Sequence, residues 1–108
     1  MELKEQKCVA CEGGMPPLTR EEVAILMQQT PGWEISADAK SISRTYEFEG
    51  FQEALAFVNR VGEIAEAEGH HPDIHLTDYK RVRIDLTTHA IGGLSNNDLI
   101  MAAKIDSK

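Results

Sequence analysis

Histidine is concentrated in one short stretch of the sequence. Three of the four histidines in the chain, His70, His71 and His75, lie close together, and the fourth is His89. An imidazole with a pKa of about 6.5 can both give and accept a proton near neutral pH. Clustered imidazoles disfavour each other's charged forms, so one can act as a base while another acts as an acid. These residue types therefore point to proton-transfer chemistry, provided that the fold brings them together.

A β-hairpin is predicted to return the fourth histidine to the first two. Apolar and polar side chains alternate through residues 73–89, which is typical of two half-buried strands. If the turn is centred near Tyr79, directly opposed residues have numbers that sum to about 158–160. His89, at the end of the second strand, then lies level with His70 and His71. The third histidine of the stretch is farther along the first strand and should lie away from this cluster.

Such a cluster suits a reaction in which one proton is delivered and another is removed. No serine stands in a strained elbow motif and both cysteines lie near the N-terminus, so elimination of water fits better than acyl transfer. The alternative is purely structural. His70, His71 and Pro72 can simply end a helix, because a protonated histidine is favourable near the negative end of the helix dipole.

A zinc site is a second alternative. Cys8 and Cys11 form a C-x2-C pair, and His71 and His75 form an H-x3-H pair. The gap between the pairs is far longer than the roughly 12–15 residues of the usual finger. Pro72 also prevents the two histidines from sharing a helical turn. We therefore expect no bound metal and interpret the cysteines as two thiols on an N-terminal arm.

Two helices that frame the histidines carry clear start signals. The first is predicted to begin at Thr19, where Glu22 completes a capping box, and to end at Pro31–Gly32. The last is predicted to begin at Ser95, where Asp98 completes a second box. The capping role alone is enough to explain this aspartate structurally.

Between these helices the sequence predicts two strands, a helix and the hairpin. Residues 33–50 read as two short strands around a turn at 37–40. Residues 51–69 read as a helix that ends at Gly69, because glycine adopts the left-handed conformation past a helix end and Pro72 bars continuation. Its predicted apolar stripe consists of Phe51, Ala54, Leu55, Val58, Val61 and Ala65.

These elements define the expected architecture. Their order, α-β-β-α-β-β-α, is typical of an α+β domain in which helices cover an antiparallel sheet. Residues 1–17 are polar, with a Gly-Gly and a Pro-Pro pair, and are predicted to be a flexible N-terminal arm. Residues 18–108 are predicted to form one domain, as expected for a chain of 108 residues.

Charge and composition exclude several kinds of partner. The net charge of −7 argues against nucleic acid and anionic membranes, because both require a basic face. No apolar run approaches the length of a membrane span, and the charged N-terminus has no apolar signal core. Two cysteines are too few for a disulfide framework. We expect a cytoplasmic protein.

The spacing of the histidines and their flanking residues resembles the signature of the pterin-4a-carbinolamine dehydratases. That signature is a Glu, three residues, His-His-Pro, five or six residues, an aromatic residue, nine residues, a His, about eight residues and an Asp. The similarity also covers Pro31–Trp33 and the order of elements from Leu18 to Asp106, but not the arm. The matching residues are Glu66, His70, His71, Pro72, Tyr79, His89 and Asp98.

The resemblance implies a fold, an activity and partners. The fold is a single domain with one four-stranded antiparallel sheet and helices packed on one face, assembled as homo-oligomers, either dimers or tetramers. The reaction is loss of water from 4a-hydroxytetrahydrobiopterin to give quinonoid dihydrobiopterin, which recycles the pterin cofactor of aromatic amino acid hydroxylases. The pterin is the substrate and no cofactor is expected, while an aromatic amino acid hydroxylase is a possible partner.

The resemblance also implies roles for individual residues. His70 and His89 would be the acid/base pair, and His71 would orient the pterin by hydrogen bonds. Glu66 would support the site, Trp33 would pack against the pocket, and Asp98 would position His89. The implied substrate contacts are Gly69, His70, His71, Thr87, Thr88, His89 and Ala90.

The sequence departs from some family members at two of these positions. Gly69 and Ala90 stand where the mammalian members, among others, carry Asp and Glu, which bears on recognition of the amino-pyrimidine edge of the pterin. A dehydratase for another pterin is therefore an alternative. Mammalian members also serve as dimerisation partners of a homeodomain transcription factor. A second alternative is therefore a non-catalytic protein-binding module of the same fold.

Overall fold

A computed structural model describes residues 2–9 and 15–107 of the chain. The order of elements is α-β-β-α-β-β-α, so the predicted α+β class is confirmed. Three 3-10 turns supplement these elements at Leu3–Glu5, Met27–Gln29 and His89–Ile91. The helices and strands are α1 Arg20–Leu26, β1 Glu34–Ile35, β2 Ile42–Glu47, α2 Phe51–Glu68, β3 Asp73–Thr77, β4 Arg81–Leu86 and α3 Asn96–Asp106. None of the helices within the described ranges is long and apolar enough to cross a lipid bilayer.

The four strands form one antiparallel sheet in the order β1-β2-β4-β3. Asp73 pairs with Asp85 and Leu76 with Val82, which is the predicted hairpin register. Asp78 and Tyr79 both have positive φ, of 50° and 53°, and make the turn where the alternation placed it. The hairpin therefore carries the start of β3 and the end of β4 to the same edge of the domain.

The core lies on one face of the sheet, beneath the helices. Val82, Ile84 and Leu86, at alternate positions of β4, are fully buried there, as is Ile42 at the start of β2, whereas Arg83 of β4 is exposed. This alternation follows from the two-residue period of a strand that has helices on one face only. Eight of the eleven residues of α3 are buried, because α3 contacts both α2 and the N-terminal 3-10 turn.

The capping predictions for the helices are confirmed. Thr19 and Glu22 form a capping box at the start of α1, and Ser95 and Asp98 form one at the start of α3. Gly69 ends α2 with φ 66°, in the left-handed region.

The predicted apolar stripe of α2 is partly wrong. Ala54, Val61 and Ala65 are buried as expected, and Val58 is partly buried. Phe51 and Leu55 are instead exposed, by 49% and 40%. Successive helical residues are about 100° apart, so Leu55 lies beside the face that Ala54 buries, and Phe51 lies in the first turn of the helix.

Phe57 is the core residue of α2 that the stripe omitted. It is 7% exposed, and its ring lies 4.5 Å from that of Tyr46 and 5.1 Å from that of Phe48. Aromatic residues at the end of β2 therefore set the rotation of α2 about its axis, which the helical period alone does not specify.

Part of the predicted N-terminal arm lies against the domain. Leu3 is only 2% exposed and belongs to the core, and its backbone N–H donates to Gln29 Oε1 at 2.9 Å. A single leucine among charged residues carries no periodic signal, so the sequence did not predict this packing. Residues 10–14, and with them Cys11, lie outside the described part of the chain. The division of the chain at residue 17 stays a prediction.

Candidate active site

The predicted substrate-contact residues line one cavity of about 290 Å³ at the edge where β3 starts and β4 ends. All seven of them are present, and two further residues that the sequence analysis did not name complete the wall. The lining residues are Val9, Gly69, His70, His71, Thr87, Thr88, His89, Ala90 and Asn97. A larger cavity of about 380 Å³, between the first 3-10 turn and the end of α3, has no histidine in its lining.

The end of α2 delivers the first two histidines to this cavity. Gly69 turns the chain in a left-handed conformation, and the backbone N–H of His70 donates to the carbonyl of Ala65 at 3.2 Å. This bond satisfies one of the carbonyls left open at the helix end. His70 and His71 consequently leave the helix at a fixed place, directly before β3.

A buried carboxylate holds the imidazole of His70. The His70 side chain is 13% exposed, and its Nε2 lies 2.6 Å from Oδ1 of Asp98, which is fully buried. The other oxygen of Asp98 accepts from Thr88 Oγ1 at 2.7 Å and from the Ser95 backbone N–H at 3.0 Å. A carboxylate bound in this way fixes both the tautomer and the orientation of an imidazole. With Nε2–H donating to Asp98, Nδ1 is the nitrogen that can exchange a proton with a ligand.

The imidazole that Asp98 contacts is that of His70, and Asp98 reaches the loop that carries His89 through the Thr88 hydroxyl. β4 ends at Leu86, so His89 is not the last residue of a strand; it begins the 3-10 turn His89–Ile91. The backbone of Thr88 pairs with that of Gly93, at 2.9 and 3.4 Å, and this pairing closes the loop that carries His89. His89 still reaches the cavity, but as an exposed side chain on a turn.

The remaining cavity histidine, His71, is held only loosely. Its Nε2 lies 2.5 Å from Glu66 Oε2, and the two side chains are 62% and 78% exposed. An ion pair between exposed side chains contributes little to stability. Glu66 therefore contacts the site as expected, through His71, and His71 has more freedom than His70.

The two threonines of the cavity wall are anchored by their hydroxyls. Thr88 is 5% exposed and its Oγ1 lies 2.8 Å from Ser95 Oγ. Thr87 donates from Oγ1 to the carbonyl of Lys40 at 2.5 Å. The wall that joins β4 to His89 is thus tied both to the start of α3 and to the turn before β2.

Trp33 is not at this cavity, so the expectation that it packs against the pocket is wrong. Trp33 is 5% exposed, and its Nε1 donates to Asp106 Oδ2 at 2.8 Å. Asp106 stands eight residues after Asp98 in α3, which is about 12 Å along a helix. Trp33 therefore packs at the opposite end of α3.

The prediction for His75 is confirmed. Its Nε2 lies 3.0 Å from Asp85 Oδ2, across the pair β3 and β4, and it does not line the cavity. Alternation along β3 places it on the face of the sheet opposite to the core.

The two lining residues that the sequence analysis missed are bound to each other. The side-chain amide of Asn97 donates from Nδ2 to the Val9 carbonyl at 2.6 Å and accepts from the Val9 N–H at Oδ1, at 3.0 Å. They are 88 residues apart, so no local spacing links them.

No group of three or more His, Cys, Asp or Glu side chains in residues 2–9 and 15–107 is placed to hold a metal ion. Cys11, one of the four residues of the zinc alternative, lies outside those ranges. The Cys8 thiol lies 3.6 Å from the carbonyl of Asn97. Burial, followed by the charges of Glu68 and Asp98, raises the pKa of this thiol to about 12. Without a bound metal, the Cys8 side chain is therefore a protonated thiol at neutral pH.

Residues 16–108 match the family model described as Pterin 4 alpha carbinolamine dehydratase. Two relatives carry the name "Putative pterin-4-alpha-carbinolamine dehydratase". The one from Methylococcus capsulatus is 49% identical, over 96% of this chain and 90% of its own length. The one from Rubrobacter xylanophilus is 50% identical, over 97% of this chain and 96% of its own length.

Solved structures with this fold were also found. A transcriptional coactivator/pterin dehydratase from Brucella melitensis is 30% identical, with a TM-score of 0.78 over 84% of this chain and 96% of that one. A pterin dehydratase-like protein identified as a RuBisCO assembly factor in the alpha-carboxysome is 20% identical, with a TM-score of 0.61 over 73% of this chain and 90% of that one. At 20% identity, the similarity to the RuBisCO assembly factor shows a shared fold only.

Proposed function

Because this chain belongs to the pterin 4 alpha carbinolamine dehydratase family, we propose that it eliminates water from 4a-hydroxytetrahydrobiopterin. The product is quinonoid dihydrobiopterin, whose reduction returns tetrahydrobiopterin to an aromatic amino acid hydroxylase. The single observation that supports this reaction best is the cavity that holds His70, His71 and His89 together, with a buried aspartate behind one of them.

The reaction needs two proton transfers and no electron transfer. The 4a hydroxyl is a poor leaving group until it is protonated, and it then departs as water. The proton on N5 is removed, and the electron pair of the N5–H bond forms the new double bond between C4a and N5. A positioned acid and a positioned base each contribute typically about 10²–10⁴-fold in rate. On this proposal the pterin is the substrate, and the protein needs no cofactor.

The environments of the three histidines suggest which is the base, which is the acid and which orients the pterin. When His70 accepts the N5 proton it becomes an imidazolium, and the Asp98 carboxylate 2.6 Å away stabilises that charge. His89 is exposed and can take a proton from water, so it suits protonation of the leaving hydroxyl. His71, which keeps more freedom beside Glu66, would orient the pterin by hydrogen bonds.

The lining of the cavity bears on which pterin fits. None of its nine lining residues is an aspartate or a glutamate, because Gly69 and Ala90 stand where some family members carry acids. Recognition of the amino-pyrimidine edge would therefore rest on the backbone and on hydroxyls such as that of Thr87. Aspartate is among the few residues that tolerate the left-handed conformation of Gly69, so both residue types suit this turn.

The direct test is the dehydration of freshly generated 4a-hydroxytetrahydrobiopterin, followed by ultraviolet absorbance. We expect wild type to accelerate the spontaneous reaction and His70→Ala to lose about 10²–10⁴-fold of kcat. His75→Ala is the matched control, because His75 also pairs with an aspartate but lies outside the cavity. Full activity in His70→Ala would contradict the role of the cluster.

A folded wild type that does not accelerate this reaction would contradict the choice of substrate. A tetrahydropterin with another side chain would then be tried in the same assay, and failure there would favour the protein-binding module. Assembly as a homo-oligomer, a hydroxylase partner and a cytoplasmic location stay predictions of the sequence analysis.

A further inference from the structure

The N-terminal segment, residues 2–9, runs along the domain and reaches the candidate active site. At its start, the buried side chain of Leu3 packs into the core. Midway, the ammonium group of Lys104 donates to the carbonyl of Lys4 at 3.0 Å. Near its end, the Cys8 N–H donates to Glu68 Oε1 at 2.9 Å. These contacts are spread along the segment, so its path is set at several points.

The last described residue of the segment is held most closely. Asn97, which is 5% exposed, both donates to the Val9 carbonyl at 2.6 Å and accepts from the Val9 N–H at 3.0 Å. One side-chain amide thus binds both polar groups of one residue, as a neighbouring strand would. Two bonds to one residue fix its orientation as well as its position.

The side chain of Val9 faces the cavity and does not pack into the core. It is 71% exposed, although its backbone is held on both sides, and it lines the cavity with the histidines. Among the nine lining residues it is the one branched apolar side chain. A ligand in the cavity would cover it, and covering apolar surface is favourable.

The start of α3 serves both walls of the cavity. Asn97 holds Val9, and the next residue, Asp98, holds His70. A rigid helical turn therefore sets the distance between the apolar side chain and the imidazole. We propose that Val9, at the end of this segment, forms a wall of the pterin pocket and contacts the apolar face or edge of the bound pterin, and that Asn97 is the positioning residue that holds it. The identity of the ligand rests on the proposed function, whereas the wall itself does not.

The first test changes the wall without changing the backbone. Val9→Ala removes two methyl groups at an exposed position and should raise KM about 3- to 10-fold, with kcat within about 2-fold. Ile25→Ala is the matched control, because Ile25 is 66% exposed and lies in α1, away from the cavity. An unchanged KM in Val9→Ala would contradict the contact with the pterin.

The second test releases the wall. Asn97→Ala removes both bonds to Val9 and should raise KM by at least as much as Val9→Ala. In the double variant, Val9→Ala should add little, because the wall is already displaced; two independent effects would instead multiply. A fall in kcat without a change in KM would show that Asn97 acts through Asp98 and His70 alone, and would contradict the proposed role of Asn97.

A third measurement needs no pterin. Diethyl pyrocarbonate modifies histidines, and peptide mass spectrometry separates His70 from His75. His70 should react several times faster in Asn97→Ala than in wild type, while His75 reacts equally in both. Equal rates at His70 would overturn the wall, whatever the enzymatic assay shows. A further outcome is that wild type fails to dehydrate the carbinolamine while His70 still reacts faster in Asn97→Ala. That result would contradict the proposed function but support Val9 as a wall of the cavity.

Discussion

The two ends of α3 each carry an aspartate that gathers several hydrogen bonds, and their surroundings differ. At the first end, Asp98 is fully buried and binds His70, which lines the cavity. At the last end the side chain of Asp106 is 24% exposed, and it binds Trp33, Arg44 and Tyr46. The two arrangements are similar in outline, but only Asp98 holds an imidazole, the type of side chain that serves as a general acid or base.

The partners of Asp106 point to a structural role. Its carboxylate accepts from Trp33 Nε1 at 2.8 Å, from Arg44 Nη1 at 3.0 Å and from the Tyr46 hydroxyl at 2.6 Å. An arginine keeps its charge, and burial together with the bond to Asp106 raises the pKa of the Tyr46 hydroxyl. These groups therefore hold their protonation states across the physiological range. An aspartate with several partners therefore marks a reactive site only when one partner can exchange a proton with a ligand.

The largest difference between the two ends should appear with Asp98→Asn. An amide at this position presents an N–H to His70 or loses the charge that stabilises its imidazolium, so kcat should fall about 10²–10⁴-fold. The measurement is carbinolamine dehydration at saturating substrate, with a thermal unfolding curve to verify the fold. Retention of wild-type kcat in a folded Asp98→Asn would show that this aspartate only caps α3.

The matched change at the other end is Asp106→Asn. It weakens the bonds to Trp33 and Arg44 and should lower the free energy of unfolding by about 1–2 kcal/mol. Activity should stay near that of wild type, because Asp106 lies about 12 Å along α3 from Asp98. Urea unfolding and the dehydration assay on the same preparation measure both effects. A large loss of kcat here would remove the distinction between the two ends.

The smallest effect concerns pH and belongs to Tyr46. Its pKa is raised in the folded state, so the unfolded chain loses this proton first as the pH rises. The contribution to stability is therefore present below pH 10, the ordinary tyrosine value, and is lost above it. Between pH 10 and 11 wild type should lose about 1 kcal/mol more than Tyr46→Phe, which has no hydroxyl to titrate. Urea unfolding at each pH measures this free energy. An equal loss in the two proteins between pH 10 and 11 would contradict the raised pKa of Tyr46.

Much of the site could be predicted because it depends on short-range patterns. The end of α2 was placed by Gly69 and Pro72, and the register of the hairpin by its alternation and its turn near Tyr79. Together these were enough to bring His70, His71 and His89 to one cavity. The alternation of β4 was extended too far, to His89, because a strand pattern does not show where a chain leaves the sheet.

By itself the sequence determined the features that depend on residues close together in the chain. These are the capping boxes of α1 and α3, the left-handed end of α2 and the pairing of β3 with β4. Only the tertiary structure decided which side chain Asp98 would hold, which end of α3 Trp33 would reach, and that Val9 would lie at the cavity. Those contacts join residues 28, 73 and 88 positions apart. The periodicities of helices and strands act over a few residues, so they place a side chain on a face but do not choose its distant partner.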